Sequence, residues 1–115
     1  MNDCIFCNVI KGNVPTNFIY RDNEVVAFYD VNPKAPIHIL VVPVKHFVSV
    51  SDAEENDGPL LGRMMLVIKK IVEKLGIAKS GYKIICNNGQ ASGQFVFHLH
   101  FHVLGGWKTQ EYWDV

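Results

Sequence analysis

Histidine recurs at every second position in Phe97-His98-Leu99-His100-Phe101-His102-Val103, and imidazole is the side chain whose unperturbed charge change falls nearest neutral pH. Strict alternation of polar and apolar residues sends successive side chains to opposite faces of an extended chain. It predicts a half-buried β-strand, with Phe97, Leu99, Phe101 and Val103 toward a core and His98, His100 and His102 on the other face. A single histidine beside apolar residues is ordinarily packed or hydrogen-bonded without chemistry, but nothing in strand structure asks for imidazole at three alternate positions. Metal binding by all three is limited by reach: alternate side chains start about 7 Å apart and the outer pair about 14 Å apart, whereas zinc–nitrogen bonds are about 2.0–2.1 Å. Two neighbours can share an ion and three hardly can. The spacing best suits one imidazole acting as nucleophile while its neighbours donate protons or hydrogen bonds to an anion.

Further candidates lie elsewhere along the chain. Cys4-Ile5-Phe6-Cys7 places two thiols three residues apart on what reads as a short helix stopped at Gly12. Such a pair can converge on one metal, serve as two small buried hydrophobes, or act as a redox couple, although the βαβ context of a thioredoxin-like couple is absent. Asp30 stands at a strand end beside the stiff turn Asn32-Pro33-Lys34-Ala35-Pro36, where a turn-forming aspartate is the local reading and a binding group the functional one. His38 sits inside an apolar run and so needs a hydrogen-bonding partner, a backbone carbonyl or the other histidines. His46 by itself reads as a surface residue. The glycine- and amide-rich loop Asn87-Asn88-Gly89-Gln90-Ala91-Ser92-Gly93-Gln94 can be an ordinary turn or can offer backbone N–H groups and the Asn87 amide to an anion.

The elements that must position these groups are legible from periodicity. Ile19-Tyr20 and Val25–Tyr29 read as a β-hairpin across Arg21-Asp22-Asn23-Glu24. Ile37–Pro43 is a nearly continuous apolar run and reads as a central strand buried on both faces. Leu60, Leu61, Met64, Val67, Ile68, Ile71, Val72 and Leu75 recur at three- and four-residue spacing, predicting one long amphipathic helix with Ser51 or Asp52 as N-cap and Gly76 at its end. Met64 and Met65 then serve packing. Tyr82–Cys86 is a further strand, Cys86 reads as a buried structural cysteine, and Gly105-Gly106 breaks the last strand. Trp107, Tyr112 and Trp113 form an aromatic tail that must dock on this subunit, a partner or a ligand.

Length and composition set the frame. A chain of 115 residues, 49% hydrophobic and 19% charged, supports one folded domain spanning 1–115. Its 11 basic and 11 acidic residues cancel without a basic block, which removes the electrostatic footprint of a nucleic-acid binder. No signal peptide or membrane-length apolar run is apparent and the cysteine number is odd, so a cytoplasmic, reducing setting is expected.

His98-Leu99-His100-Phe101-His102-Val103-Leu104 resembles the motif of the histidine triad (HIT) family. Ala35-Pro36-Ile37-His38-Ile39-Leu40-Val41-Val42-Pro43-Val44-Lys45-His46, the Asn87–Gln94 loop and Gly105-Gly106 extend the resemblance, toward the Hint-like branch, over nearly the whole chain. It implies an α+β HIT fold: an antiparallel β-sheet of about five strands with one long and one short helix, paired into a homodimer. It also implies a purine nucleoside monophosphate site and hydrolysis of nucleoside phosphoramidates or acyl-nucleotides through a nucleotidyl-histidine intermediate, without a catalytic cofactor. The alternatives are a dinucleoside polyphosphate hydrolase, as in the Fhit-like branch, and a non-catalytic nucleotide-binding module. By matching position His100 is the nucleophile, flanked by His98 and by His102 near the phosphate, with His38 in the supporting network. Asp30 would hold the ribose, and Ile5, Phe6, Val9, Phe28 and Val31 would enclose the base. Asn87, Gly93, Gln94, Phe95 and Val96 would contact phosphate. Some bacterial-type members bind structural zinc through residues matching Cys4, Cys7, His46 and His98, an S₂N₂ set suited to a tetrahedral ion. Two departures stand out. Phe95 replaces a serine or threonine found in many members, and the aromatic tail falls in a different register.

Overall fold

The computed structural model describes residues 4–110. Its sheet is built from β1 (Phe18–Arg21), β2 (Val25–Tyr29), β3 (Ile37–Pro43), β4 (Tyr82–Ile85) and β5 (Phe101–Gly105), in the order β1-β2-β3-β5-β4 with every neighbouring pair antiparallel. A short helix α1 (Ile5–Ile10) and a long helix α2 (Gly58–Lys74) complete the α+β architecture. Alternation along the central strands assigns the two faces. Ile39 and Val41 of β3 join Val25, Ala27 and Val103 against Met64, Val67, Ile68 and Ile71 of α2. Leu40 and Val42 join Val26 and Phe28 on the opposite face against Phe6 and Val9 of α1. The apolar run of β3 is therefore continuous because both faces are covered.

Register then places two histidines. Leu40 pairs with His102 and His38 with Leu104, and paired residues share a face of the sheet. His38 and His102 are consequently diagonal neighbours on the α1 side, the side not occupied by the long helix.

Several boundaries differ from expectation. Helix α2 begins at Gly58 rather than after Ser51 or Asp52, which fall in a separate 3₁₀ turn, Val50–Asp52. A reciprocal capping box between Glu54 and Asp57 and Pro59 in the first turn set the later start, since proline's missing N–H costs nothing there. Strand β5 begins at Phe101, not at Phe97, whose side chain is half exposed. The β3–β5 pairing ends at Val41 and Phe101, and Leu99 instead donates its N–H to the Phe47 carbonyl at 2.8 Å. Leu99 and Val103 are fully buried and Phe101 packs against the same core. Gly105 lies within β5 rather than breaking it; a Cβ there would meet Ile77 Cδ1 at 2.7 Å, and the turn follows at Gly106, φ 88°. Cys86 is partly buried against the main core. Trp107 is partly buried, whereas Tyr112 and Trp113 lie outside the described residues.

Candidate active site

His100 is positioned by its own backbone neighbour. Its Nδ1 lies 2.8 Å from the His98 carbonyl. A carbonyl can only accept, so Nδ1 carries the proton and Nε2 keeps the lone pair. The ring stands edge-on to Phe6 of α1, with centroids 5.0 Å apart at 88°, and to His102, 4.9 Å away. Burial holds the His100 pKa below its ordinary value of 6.5, against the opposing pull of the His98 hydrogen bond and the Asp30 charge. The imidazole is therefore neutral near pH 7.

A second hydrogen-bond chain fixes the neighbouring tautomer. The Lys34 amide donates to His38 Nδ1 at 3.0 Å, which leaves the His38 proton on Nε2, and that atom lies 2.9 Å from His102 Nδ1. His102 must accept there, so its own proton sits on Nε2. Burial, with His100 and His38 close by, depresses the His102 pKa to about 4, and burial likewise lowers that of His38. The two rings thus divide their roles, a lone pair on His100 and an N–H on His102. Asp30 makes the turn contact expected of it, one oxygen accepting the Asn32 amide at 2.8 Å, while its other oxygen lies 3.5 Å from His38 Nε2.

His100 and His102 line a cavity of about 700 Å³. Its apolar part is formed by Ile5 with Phe6, Val9 and Phe28, the last three packed in one cluster, and Asp30, Val31 and His38 also line it. Asn87, Gly93, Phe95 and Val96 enter from the loop after β4. Gly93 adopts φ 96°, a backbone conformation that favours glycine. The Asn87 amide donates to the Ser92 carbonyl at 2.9 Å across the same loop. Gln94 is not among the lining residues. Its buried side chain accepts the Gly89 N–H at 2.8 Å and donates to the Val48 and Val96 carbonyls, bracing the loop from behind. The connection Val14-Pro15-Thr16-Asn17 and Lys34 also line the cavity. Sequence reasoning missed that connection, whose only mark is a proline between a helix and a strand.

His98 belongs to a different constellation. It donates Nε2–H to the Pro43 carbonyl at 2.8 Å, which turns the Nδ1 lone pair toward α1. Cys4 Sγ at 3.3 Å, Cys7 Sγ at 3.5 Å and His46 Nδ1 at 3.0 Å surround that nitrogen, and Cys7 Sγ lies 3.3 Å from His46 Nδ1. All four ligand atoms fall within 4.8 Å of one another. Tetrahedral bonds of about 2.0–2.3 Å put ligand atoms roughly 3.3–3.7 Å apart, so the cluster has the dimensions and the soft–borderline donor chemistry of a four-coordinate metal site. Burial raises the Cys4 thiol pKa and depresses that of His98 to about 4. Phe6, between the two cysteines in sequence, touches both His98 and His100 edge-on. The cluster and the cavity therefore share a wall.

Comparison with known proteins agrees with this geometry. Residues 11–109 match the HIT domain. The purine nucleoside phosphoramidase of Escherichia coli K12 is 41% identical over 104 residues, covering 90% of this chain and 87% of that protein. A histidine triad protein from Clostridium difficile superposes with a TM-score of 0.91 at 42% identity, covering 97% of each chain. A HIT family hydrolase from Legionella pneumophila Philadelphia 1 gives 0.92 at 34% identity, covering 97% of this chain and 98% of that one. With its five-stranded antiparallel sheet, one long and one short helix, and histidines at 98, 100 and 102, the chain belongs to the HIT domain family.

Proposed function

We propose that this protein hydrolyses purine nucleoside phosphoramidates or acyl-nucleotides, releasing the nucleoside monophosphate through a nucleotidyl intermediate on His100. The observation that carries the reading is the complementary tautomer pair, a lone pair on His100 Nε2 beside an N–H on His102 Nε2, facing one cavity. The names of the relatives, a purine nucleoside phosphoramidase and a HIT family hydrolase, support it. The base enters the apolar part of the cavity lined by Ile5, Phe6, Val9 and Phe28, and Asp30 accepts from the ribose hydroxyls. His100 Nε2 attacks phosphorus and the phosphorus–nitrogen or phosphorus–oxygen bond to the leaving group breaks; an amine leaves with a proton taken from solvent water, and an acyl group leaves as the carboxylate. Positive charge arising on the His100 ring is shared with the His98 carbonyl. His102 Nε2–H and donors of the Asn87–Gly93 loop stabilise charge on the phosphoryl oxygens. Water then displaces His100 from phosphorus, giving up one proton to the solvent, and the ring returns to its neutral form. The test is turnover of adenosine 5′-phosphoramidate beside a diadenosine polyphosphate. AMP released preferentially from the phosphoramidate supports the reading; a preference for the polyphosphate replaces it with the Fhit-like alternative, and AMP binding without turnover of either replaces it with a non-catalytic module.

The lowered His100 pKa gives a pH expectation. Protonation removes the nucleophilic lone pair, and burial moves that protonation below pH 6.5. The kcat/KM for the phosphoramidate should therefore stay level from about pH 8 down to 6.5 and fall only below it. An acid limb centred above pH 6.5 would contradict the assignment.

In the same reading, Cys4, Cys7, His46 and His98 hold a structural zinc ion that takes no part in the chemistry. Residence in the cytoplasm belongs to the same reading; among the described residues no helix is long and apolar enough to cross a membrane. Homodimer formation is proposed through the apolar surface that α2 and the sheet edge leave open. Met65 and Leu66 on α2 are 38% and 58% exposed, and Tyr82 and Ile84 on edge strand β4 are 36% and 41% exposed. Leu66→Glu should shift the mass measured by light scattering from dimer to monomer; an unshifted dimer would place the interface elsewhere.

A further inference from the structure

Phe95 lines the cavity yet is 85% exposed. Its neighbours keep it there. Gln94 is buried and tied by three hydrogen bonds to Gly89, Val48 and Val96, and Val96 packs against the cluster containing Phe6 and Phe28. With both flanking residues anchored, the backbone of Phe95 is fixed and its ring stands at the mouth. The apolar part of the cavity already has Phe6, Val9 and Phe28, each at most 7% exposed, so a bound base does not need this ring. Phe95 instead lines the cavity from the segment that carries Asn87 and Gly93. In an in-line displacement the leaving group departs on the side of phosphorus opposite the His100 nucleophile; His100 is 7% exposed, so that group moves away from the buried ring toward the exposed rim where Phe95 stands. A phenyl ring there offers no hydrogen bond; it offers apolar area and a π face.

We propose that Phe95 selects the leaving group, favouring amines and acyl groups that carry an aromatic body close to the reacting atom over small polar ones. This rests on the hydrolase reading above. The expected contact is ring on ring, formed only when substrate is bound, between Phe95 and the part of the substrate that is released.

The experiment compares adenosine 5′-phosphoramidate, whose leaving group is ammonia, with the adenosine phosphoramidate of an arylalkylamine. Measured on the same preparation, the ratio of their kcat/KM values is unaffected by any loss of folded protein. Phe95→Ser is expected to lower the aryl-to-ammonia ratio by about threefold to tenfold, and Phe95→Tyr, which keeps the ring, to hold it within about twofold. A ratio that Phe95→Ser leaves unchanged, or that falls equally in Phe95→Tyr, overturns the proposal while the hydrolase reading stands. If the wild-type protein turns over neither substrate, the hydrolase reading fails and this inference fails with it.

Discussion

Replacing His100 by alanine is expected to lower kcat/KM for an adenosine phosphoramidate by at least about 10⁴-fold, with no nucleotidyl adduct visible by intact mass after rapid quenching. The magnitude follows from what the side chain does. A nucleophile that forms the covalent intermediate has no substitute in its own site, and removing such a residue typically costs about 10⁴–10⁶ in rate. Neighbouring imidazoles cannot take over. The Nδ1 of His102 is occupied by His38 and its Nε2 carries a proton, while the lone pair of His98 points into the cysteine cluster rather than the cavity. Binding should suffer far less, because the apolar part of the cavity and Asp30 are untouched; calorimetry with AMP should give an affinity within about tenfold of wild type. Residual turnover within a hundredfold of wild type would show that another group attacks phosphorus.

The second large effect concerns the other end of the chain. Cys4→Ser/Cys7→Ser protein is expected to contain no zinc, against about one ion per chain in the wild type by elemental analysis, and to melt at least about 10 °C lower. Removing both thiols deprives an ion of half its ligands. It leaves the Nδ1 atoms of His46 and His98 facing each other at 3.0 Å, one of them on a ring with no exposed surface. An ion that binds only the folded chain stabilises it by mass action, about 2.7 kcal/mol at a hundredfold excess over Kd, and about 1 kcal/mol shifts the midpoint of a domain near this size by several degrees. Helix α1 spans only six residues, too few to persist without tertiary anchoring. Since α1 also supplies Ile5, Phe6 and Val9 to the cavity, the variant should show a raised KM as well. Zinc content unchanged in the double variant, or absent from the wild type, would remove the metal from the cluster.

Much of the fold was legible because the relevant signals are local. The 3.6-residue recurrence from Leu60 to Leu75 marked α2, and the apolar run Ile37–Pro43 marked a strand covered on both faces. The start of α2 was not legible, because Ser51 and Asp52 are good caps by type while Asp57 and Pro59 hold the position that the chain uses. Phe97 was misplaced for a related reason. Alternation gives the phase of a strand but not where it begins, and that boundary depends on the Leu99–Phe47 hydrogen bond, between residues 52 positions apart.

What the sequence determined by itself was the chemistry on offer: three imidazoles in alternating phase, a pair of thiols one helical turn apart, and a glycine-rich loop beside them. The family resemblance implied separate duties for His98, His100 and His102; what only the tertiary structure decided was which nitrogen of each ring carries the proton and which way its lone pair faces. Strand register brings His38 diagonal to His102, the Lys34 amide sets the direction of that hydrogen-bond chain, and the Pro43 carbonyl turns His98 away toward Cys4 and Cys7. The physical reason is that an imidazole's role depends on which nitrogen carries the proton. That choice is made by partners from 2 to 64 residues away in sequence, contacts that residue types and spacing along the chain do not encode.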